Sequence, residues 1–222
     1  MNNLKGRLGK AAVMLLALAS VASSQSEAQY TELPNFHQVE GDLYRGAQPR
    51  AGGFRVLARL GIRTVISLRA ADERSRSEEA EASAEGLQYF NVPMPWFAKP
   101  QGSQVERVLA IIDDQRNWPV FVRCKRGADR TGTIIAAYRI SHDGWTSRLA
   151  KEEADRYGMS KTQFEMGDYI ADYYRRRVGL GKWGDWRTDI TGTAAAVTRH
   201  TLEKTYSFTR RGLRRLKGAT PQ

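Results

Sequence analysis

The only cysteine of the chain, Cys124, ends an apolar run, and five residues separate it from Arg130. Cysteine attacks as a thiolate, and a helix N-terminus or a nearby guanidinium lowers the pKa of a thiol. A short loop between a strand and a helix turns successive N–H groups toward an anion. The planar fork of an arginine holds two phosphate oxygens at once. This spacing therefore predicts that Cys124 is a nucleophile that attacks phosphorus.

Other residues of the same stretch support phosphate chemistry. Gly127 relieves the backbone where the loop bends or a ligand approaches closely, and Thr131 is placed to hydrogen-bond the departing thiolate. Gly127 and Gly132 resemble the ends of a nucleotide P-loop, but Thr133 stands where that motif needs lysine. A cysteine protease would need a histidine partner, and none of the three histidines has a recognisable context. The remaining alternative is an ordinary buried cysteine at the end of a core strand.

The nine residues from Cys124 to Gly132 resemble the signature loop of the cysteine-dependent protein tyrosine and dual-specificity phosphatases. Segments 43–49 and 64–69 also match the bacterial tyrosine-phosphatase-like proteins and the plant and fungal atypical dual-specificity phosphatases, and the resemblance spans roughly Phe36 to Arg175. It implies hydrolysis of phosphorylated proteins through a phosphocysteine, without metal or organic cofactor. It also implies a set of catalytic and substrate-binding residues: Cys124, Asp129, Arg130 and Thr131, with Arg69, Lys125, Arg126, Gly127 and Ala128.

The sequence departs from the family pattern at the general acid. These phosphatases usually carry an Asp on the loop after the preceding strand, but residues 93–101 contain neither Asp nor Glu. We predict Asp129 as the acid, as the resemblance to myotubularin-like lipid phosphatases implies. The alternative is a carboxylate that stabilises the loop by pairing with a basic neighbour, and Asp72 is a weaker candidate for the acid. A substrate with a good leaving group, such as a phosphoanhydride, needs no strong acid.

Arg123 is a second departure, because most of these phosphatases have His before the cysteine. Arg123 could supply charge or point into solvent. Lys125 and Arg126 could favour substrates with several phosphates, such as the inositol pyrophosphates of the plant and fungal relatives or phosphoinositides, or could face solvent. We expect Trp96 and Phe97 in the core, with a pocket wall as the alternative. The departures also leave open a phosphate-binding pseudophosphatase.

Hydrophobic patterning predicts an α/β fold with a central, mainly parallel sheet flanked by helices and a basic C-terminal extension. A hairpin is expected over 36–49, and ligands should bind beyond the carboxyl ends of the strands, where Cys124 and Arg69 fall. Strands are predicted over 64–68, 88–92 and 120–123. Helices are predicted over 51–60, 74–85, 105–115, 131–142, 146–157 and 162–177.

Charge is distributed unevenly along the 222 residues, whose formal net charge is +11. Residues 29–174 hold twenty basic and twenty acidic side chains, whereas 175–222 hold twelve Lys and Arg against three Asp and Glu. Residues 1–28 resemble a signal peptide, which predicts export to the periplasm or outside the cell. A catalytic domain is expected over 29–178. The tail over 179–222 is either a solvated extension or an anchor for anionic lipid or another polyanion, and no motif supports nucleic-acid binding.

Overall fold

A computed structural model describes residues 30–179 of the chain. The predicted signal peptide, and all of the predicted basic tail except its first residue, lie outside these residues. Within the described part, no helix is both long and apolar enough to cross a membrane.

Five short strands form one sheet in the order β1-β2-β5-β3-β4. The first two, β1 (His37–Glu40) and β2 (Leu43–Gly46), make an antiparallel hairpin, and the remaining neighbours are parallel. These are β3 (Thr64–Ser67), β4 (Gln88–Asn91) and β5 (Val120–Arg123). Both β3 and β5 are buried at every residue, as expected for inner strands covered on two faces. The predicted fold class and hairpin are confirmed.

Among residues 30–179, six α-helices flank this sheet, and a 3₁₀ turn over Gln115–Asn117 precedes β5. One apolar core includes Ile66, Val122 and Ile134, and a second includes Leu57, Val65 and Phe121. The two cores use alternate residues of β3 and β5, so they lie on opposite faces of the sheet. The helices are α1 (Gly53–Arg59), α2 (Glu73–Ala84), α3 (Gly102–Asp113), α4 (Asp129–His142), α5 (Ser147–Arg156) and α6 (Phe164–Arg177).

All six predicted helices exist, and α3 shows why one boundary was wrong. The apolar pattern predicted a start at Val105, but α3 begins at Gly102. Gln101 and Gln104 form a reciprocal capping box, in which the backbone N–H of Gln101 donates to Gln104 Oε1 at 2.8 Å. Polar side chains therefore add a turn that hydrophobic periodicity does not reveal.

Parallel pairing brings the ends of β3 and β5 to the same edge of the sheet. Ser67 aligns with Arg123, and the backbone N–H of Leu68 donates to the carbonyl of Arg123 at 2.9 Å. Arg69 and Cys124, each directly beyond these residues, consequently lie at one carboxyl edge, as the sequence predicted.

Candidate active site

Cys124 lies between β5 and a loop that leads into α4. Cys124 is 2% exposed. Four residues without regular secondary structure separate it from Asp129, the first residue of the helix. The first N–H groups of a helix have no intrahelical acceptor, and they carry the positive end of the helix dipole. The fold therefore places the thiol beside a region suited to a dianionic phosphate.

Three residues outside the loop hold its backbone carbonyls at 125–127. The backbone N–H of Gln48 donates to the Lys125 carbonyl at 3.3 Å. The Asn35 amide donates to the Arg126 carbonyl at 3.1 Å, and Arg45 Nη2 donates to the Gly127 carbonyl at 2.9 Å. Within residues 30–179, the N–H groups of 125–128 make no backbone hydrogen bond. The loop is thus fixed through its acceptors, which leaves its donors available to an anion.

Gly127 is required by both conformation and space. Its φ is +71°, and an added Cβ would lie 2.4 Å from the carbonyl carbon of Gly46 and 2.5 Å from the nitrogen of Ala47. Backbone atoms cannot move aside as a flexible side chain can. The match at 43–49 therefore has a physical meaning, since this segment packs directly against the signature loop.

Arg45 is a supporting residue whose role the sequence did not reveal. Its side chain is buried, donates to Gly127 and lies 4.3 Å over the Tyr157 ring. Burial lowers the pKa of Arg45 to about 10, and the carboxylate of Glu153 opposes this shift. The only sequence signal was an arginine inside the 43–49 match, which gives no indication of where its guanidinium binds.

Arg130 and Thr131 lie in the first turn of α4, directly after Asp129. The half-buried guanidinium of Arg130 donates through Nη1 to the Leu68 carbonyl at 3.1 Å, which fixes it to the end of β3. Thr131 is fully buried, and its hydroxyl has no partner in the described residues, Cys124 included. The bond between Thr131 and the thiolate is therefore not formed in this structure and stays a prediction.

Asp129 is held by protein donors on both carboxylate oxygens. Oδ2 pairs with Arg126 Nη2 at 2.5 Å, and Oδ1 accepts from the backbone N–H of Ser160 at 2.8 Å. These contacts tie the loop to the start of α4 and to the segment after α5. These are the contacts that the loop-stabilising alternative requires, and the general-acid role of Asp129 stays a prediction.

Asp72, the weaker candidate, caps helix α2. It accepts from the backbone N–H of Ser75 at 2.9 Å and lies 3.4 Å from Arg69 Nη2. The Ser75 N–H and then the Arg69 charge lower the pKa of Asp72. Asp72 is therefore held in the form that cannot donate a proton.

The predicted substrate-binding residues differ in exposure. Lys125 and Arg126 are exposed, whereas Ala128 is buried. Arg69 is half-buried and donates to Gln48 Oε1 at 2.5 Å, so it links β3 to the segment that supports the loop. Lys125 and Arg126 are thus the exposed cations of the loop, and Arg126 also pairs with Asp129.

The expectation that Trp96 and Phe97 belong to the core is wrong. Trp96 is 67% exposed and Phe97 is 55% exposed, and their rings meet edge to face at 4.1 Å. Met94, two residues earlier, is the last buried apolar residue before this turn. Beyond Met94 the loop leaves the sheet edge, so Trp96 and Phe97 have no core to pack into, and their rings pack against each other.

Arg123 is buried, so its solvent-facing alternative is wrong. It contacts the carboxylate of Glu78 and donates to the Tyr89 hydroxyl at 2.7 Å, and that hydroxyl donates to Glu78 at 3.1 Å. Arg123 and Glu78 are both fully buried. Burial lowers the pKa of Arg123 to about 9, while contact with Glu78 favours the charged guanidinium. We call these three residues the buried triad.

The buried triad anchors β5 directly before Cys124. Its members come from three elements, α2, β4 and β5. Glu78 was missed because α2 reads as a solvated helix, rich in charged residues. No local signal marks which carboxylate of that helix faces the sheet.

A model of known phosphatases matches most of the chain. It is described as "DSP-PTPase phosphatase fused to NAD+ Kinase" and matches residues 12–172. The chain belongs to this family. The predicted resemblance to the tyrosine and dual-specificity phosphatases is thereby confirmed.

Individual members show how far the likeness extends. The dual specificity protein phosphatase TpbA of Pseudomonas aeruginosa is 33% identical over 126 residues, which are 56% of this chain and 55% of TpbA. The inositol diphosphatase DSP5 of Arabidopsis thaliana is 28% identical over 144 residues, 63% of this chain and 70% of DSP5. The chain thus spans about half the length of TpbA, the relative with the higher identity.

A solved structure confirms the fold. The crystal structure of P. aeruginosa TpbA in complex with phosphotyrosine has a TM-score of 0.56 and 27% identity, and the match covers 67% of this chain and 91% of that chain. The shared architecture is the α/β sheet with its flanking helices.

Proposed function

We propose that this phosphatase-family chain hydrolyses phosphate monoesters on tyrosine- or dual-specificity-type protein substrates through a phosphocysteine. One observation carries the proposal: Cys124 precedes a loop whose carbonyls at 125–127 are held from outside the loop, and the guanidinium of Arg130, which follows that loop, is tethered to the Leu68 carbonyl. Such a loop is organised before the substrate arrives, so little reorganisation accompanies the reaction.

The residues act in order on a bound phosphate. Loop N–H groups and Arg130 bind the non-bridging oxygens and orient phosphorus over the sulfur. The Cys124 thiolate attacks phosphorus, the leaving oxygen departs, and water then hydrolyses the phosphocysteine. The covalent intermediate divides a difficult hydrolysis into two easier steps.

The exposed basic residues of the loop support a second substrate class. Lys125 and Arg126 are exposed residues of the loop itself, where they could bind a phosphate other than the one that reacts. DSP5, one of the relatives, is named an inositol diphosphatase. An inositol phosphate or phosphoinositide is therefore the alternative substrate, and a pseudophosphatase is the alternative to catalysis.

The test is hydrolysis of an aryl phosphate and of a phosphotyrosine peptide by wild type and by Cys124→Ser. Serine is nearly isosteric but far less nucleophilic, so we expect turnover to fall to background while the circular dichroism spectrum and phosphate binding persist. The exposed neighbour variant Lys161→Ala is the control for handling and folding. Turnover retained in Cys124→Ser, or wild type that binds phosphate without turnover, would reject the enzyme proposal.

Two further proposals rest on sequence features outside the described residues. The basic start and apolar run within residues 1–28 support export, and the basic tail supports contact with an anionic membrane surface.

A further inference from the structure

We propose that Gln48 is a substrate-contacting residue, whose side-chain amide donates to an oxygen of the bound phosphoryl group, and that Arg69 is the residue that positions it. The proposal rests on the proposed function, because it concerns the phosphate that Cys124 attacks. It follows from where the two strands on either side of β5 end.

The side chains of Gln48 and Arg69 meet across the end of β5. The sheet order β2-β5-β3 places β5 between the strands that precede these two residues, and the last residues of β2 and β3 both align with Arg123. Gln48 and Arg69 each lie two residues beyond those strand ends. Arg69 Nη1 donates to Gln48 Oε1 at 2.5 Å. The pair therefore bridges the two strands at the edge of the sheet where Cys124 lies.

Backbone contacts hold both ends of this bridge against the signature loop. The N–H of Gln48 donates to the carbonyl of Lys125, the residue after Cys124, at 3.3 Å. At the other end, the carbonyl directly before Arg69 accepts from the Arg130 guanidinium at 3.1 Å. The bridge is thus attached beside Cys124 at one end and beside the phosphate-binding guanidinium at the other.

The contact with Arg69 determines which way the Gln48 amide faces. A guanidinium carries donors only, so the amide atom that meets it is the oxygen, and the NH₂ group points elsewhere. In the part of the chain that the structure describes, Gln48 Nε2 has no acceptor, and the residue is only half-buried. A donor held in this way beside the loop is suited to an oxygen of a bound phosphate.

Arg69 acts through Gln48, because both of its terminal nitrogens are already used. Nη1 holds Gln48, and Nη2 lies 3.4 Å from Asp72, which the backbone N–H of Ser75 holds in turn at 2.9 Å. The carbonyl of Arg69 accepts from the Asn91 amide at 3.1 Å. The substrate contact that the sequence assigned to Arg69 therefore passes to Gln48.

A fixed donor of this kind stabilises charge on the phosphoryl oxygens as the S–P bond forms. Loop N–H groups and Arg130 supply the other donors of the site, and the Gln48 amide adds one that does not titrate. Because its orientation is set before the substrate binds, it needs no reorganisation during the reaction. Removal of one preorganised donor typically costs about 10²–10³-fold in kcat.

The experiment measures kcat/KM for an aryl phosphate in variants that separate the donor from the bridge. Gln48→Met removes both the donor and the bridge without adding charge. Gln48→Glu keeps an oxygen for Arg69 but has no NH₂ group, whereas Arg69→Met removes the bridge and leaves the Gln48 donor in place. The control is Gln88→Met, the same change at the exposed first residue of β4, which should match wild type.

We expect both Gln48 variants to lose about 10²-fold in kcat/KM. Arg69→Met should lose less, and the double variant Gln48→Met, Arg69→Met should be no worse than Gln48→Met. Equal losses in Arg69→Met and Gln48→Met, or full activity in Gln48→Glu, would show that only the bridge matters. A double variant whose loss is the product of the two single losses would show that Arg69 contacts the substrate itself. Each of these results overturns the proposal.

Binding of inorganic phosphate separates this proposal from the proposed function. Calorimetry compares Cys124→Ser with the double variant Cys124→Ser, Gln48→Met, in which Kd should rise about 10-fold or more because a hydrogen bond to a charged group is lost. An unchanged Kd overturns the Gln48 contact. If wild type shows no Cys124-dependent turnover, the proposed function fails instead, and the Kd values alone then decide whether Gln48 contacts the phosphate.

Discussion

Removal of Glu78 should destabilise the fold strongly, although Glu78 reads as a surface residue of a charged helix. Glu78 and Arg123 are both fully buried and in contact, and Nε and Nη1 of Arg123 have no other partner among residues 30–179. Glu78→Leu leaves a buried guanidinium with only the Tyr89 hydroxyl. Breaking such a pair costs about 3–5 kcal/mol, a large share of the usual stability of about 5–15 kcal/mol.

Urea unfolding at neutral pH measures this cost. With a slope of about 2 kcal/mol per molar urea, the midpoint should fall by about 2 M. The double variant Glu78→Leu, Arg123→Leu should recover most of the loss, because apolar residues can replace a buried pair at little cost.

The control is Glu79→Leu, at the exposed neighbouring residue, which should stay within about 0.5 kcal/mol of wild type. If the single changes at Glu78 and Arg123 add without coupling, the buried triad does not stabilise the fold as argued.

Two other predictions concern turnover after a change at Gly127 and the dependence of fold stability on pH through Asp72. Gly127→Ala should reduce turnover by about 10²-fold or more, because the new Cβ displaces the phosphate-binding loop from the backbone of Gly46 and Ala47. The control Gly86→Ala has the same kind of positive φ, +78°, but open space around the new Cβ, so it should keep its turnover. Equal turnover of the two variants would contradict the steric argument. The lowered pKa of Asp72 means that it stabilises the fold above the unfolded value of about 3.9 and that this stability is lost as pH falls. Asp72→Asn retains a capping oxygen but does not titrate, so the difference in urea midpoint from wild type should shrink between pH 7 and pH 3; a constant difference would refute the charge effect.

The reactive stretch could be found from sequence because its chemistry is local. Cys124, Gly127 and Arg130 belong to a single turn between a strand and a helix, and their spacing follows from how a short backbone segment wraps a phosphate. The sheet and its flanking helices could be predicted for a similar reason, since apolar periodicity is a local property.

The supports of the site could not be predicted in this way. Arg45 reaches the Gly127 carbonyl across 82 residues of chain, and Glu78 meets Arg123 only because α2 packs on the side of the sheet where β4 lies. Trp96 and Phe97 were misplaced since aromatic residues in a loop look the same in sequence whether they pack inward or face solvent.

The amino-acid sequence by itself predicted Cys124 as the nucleophile and 124–130 as the phosphate-binding loop, and it determined the α/β class and the absence of a carboxyl from residues 93–101. The tertiary structure decided what surrounds them: that Arg123 is buried against Glu78, that Asp129 is occupied by Arg126 and Ser160, and that the loop carbonyls are held from outside. The physical reason is distance along the chain. A turn is specified by adjacent residues, whereas a buried ion pair or a bound carbonyl depends on segments that meet only after the sheet has assembled.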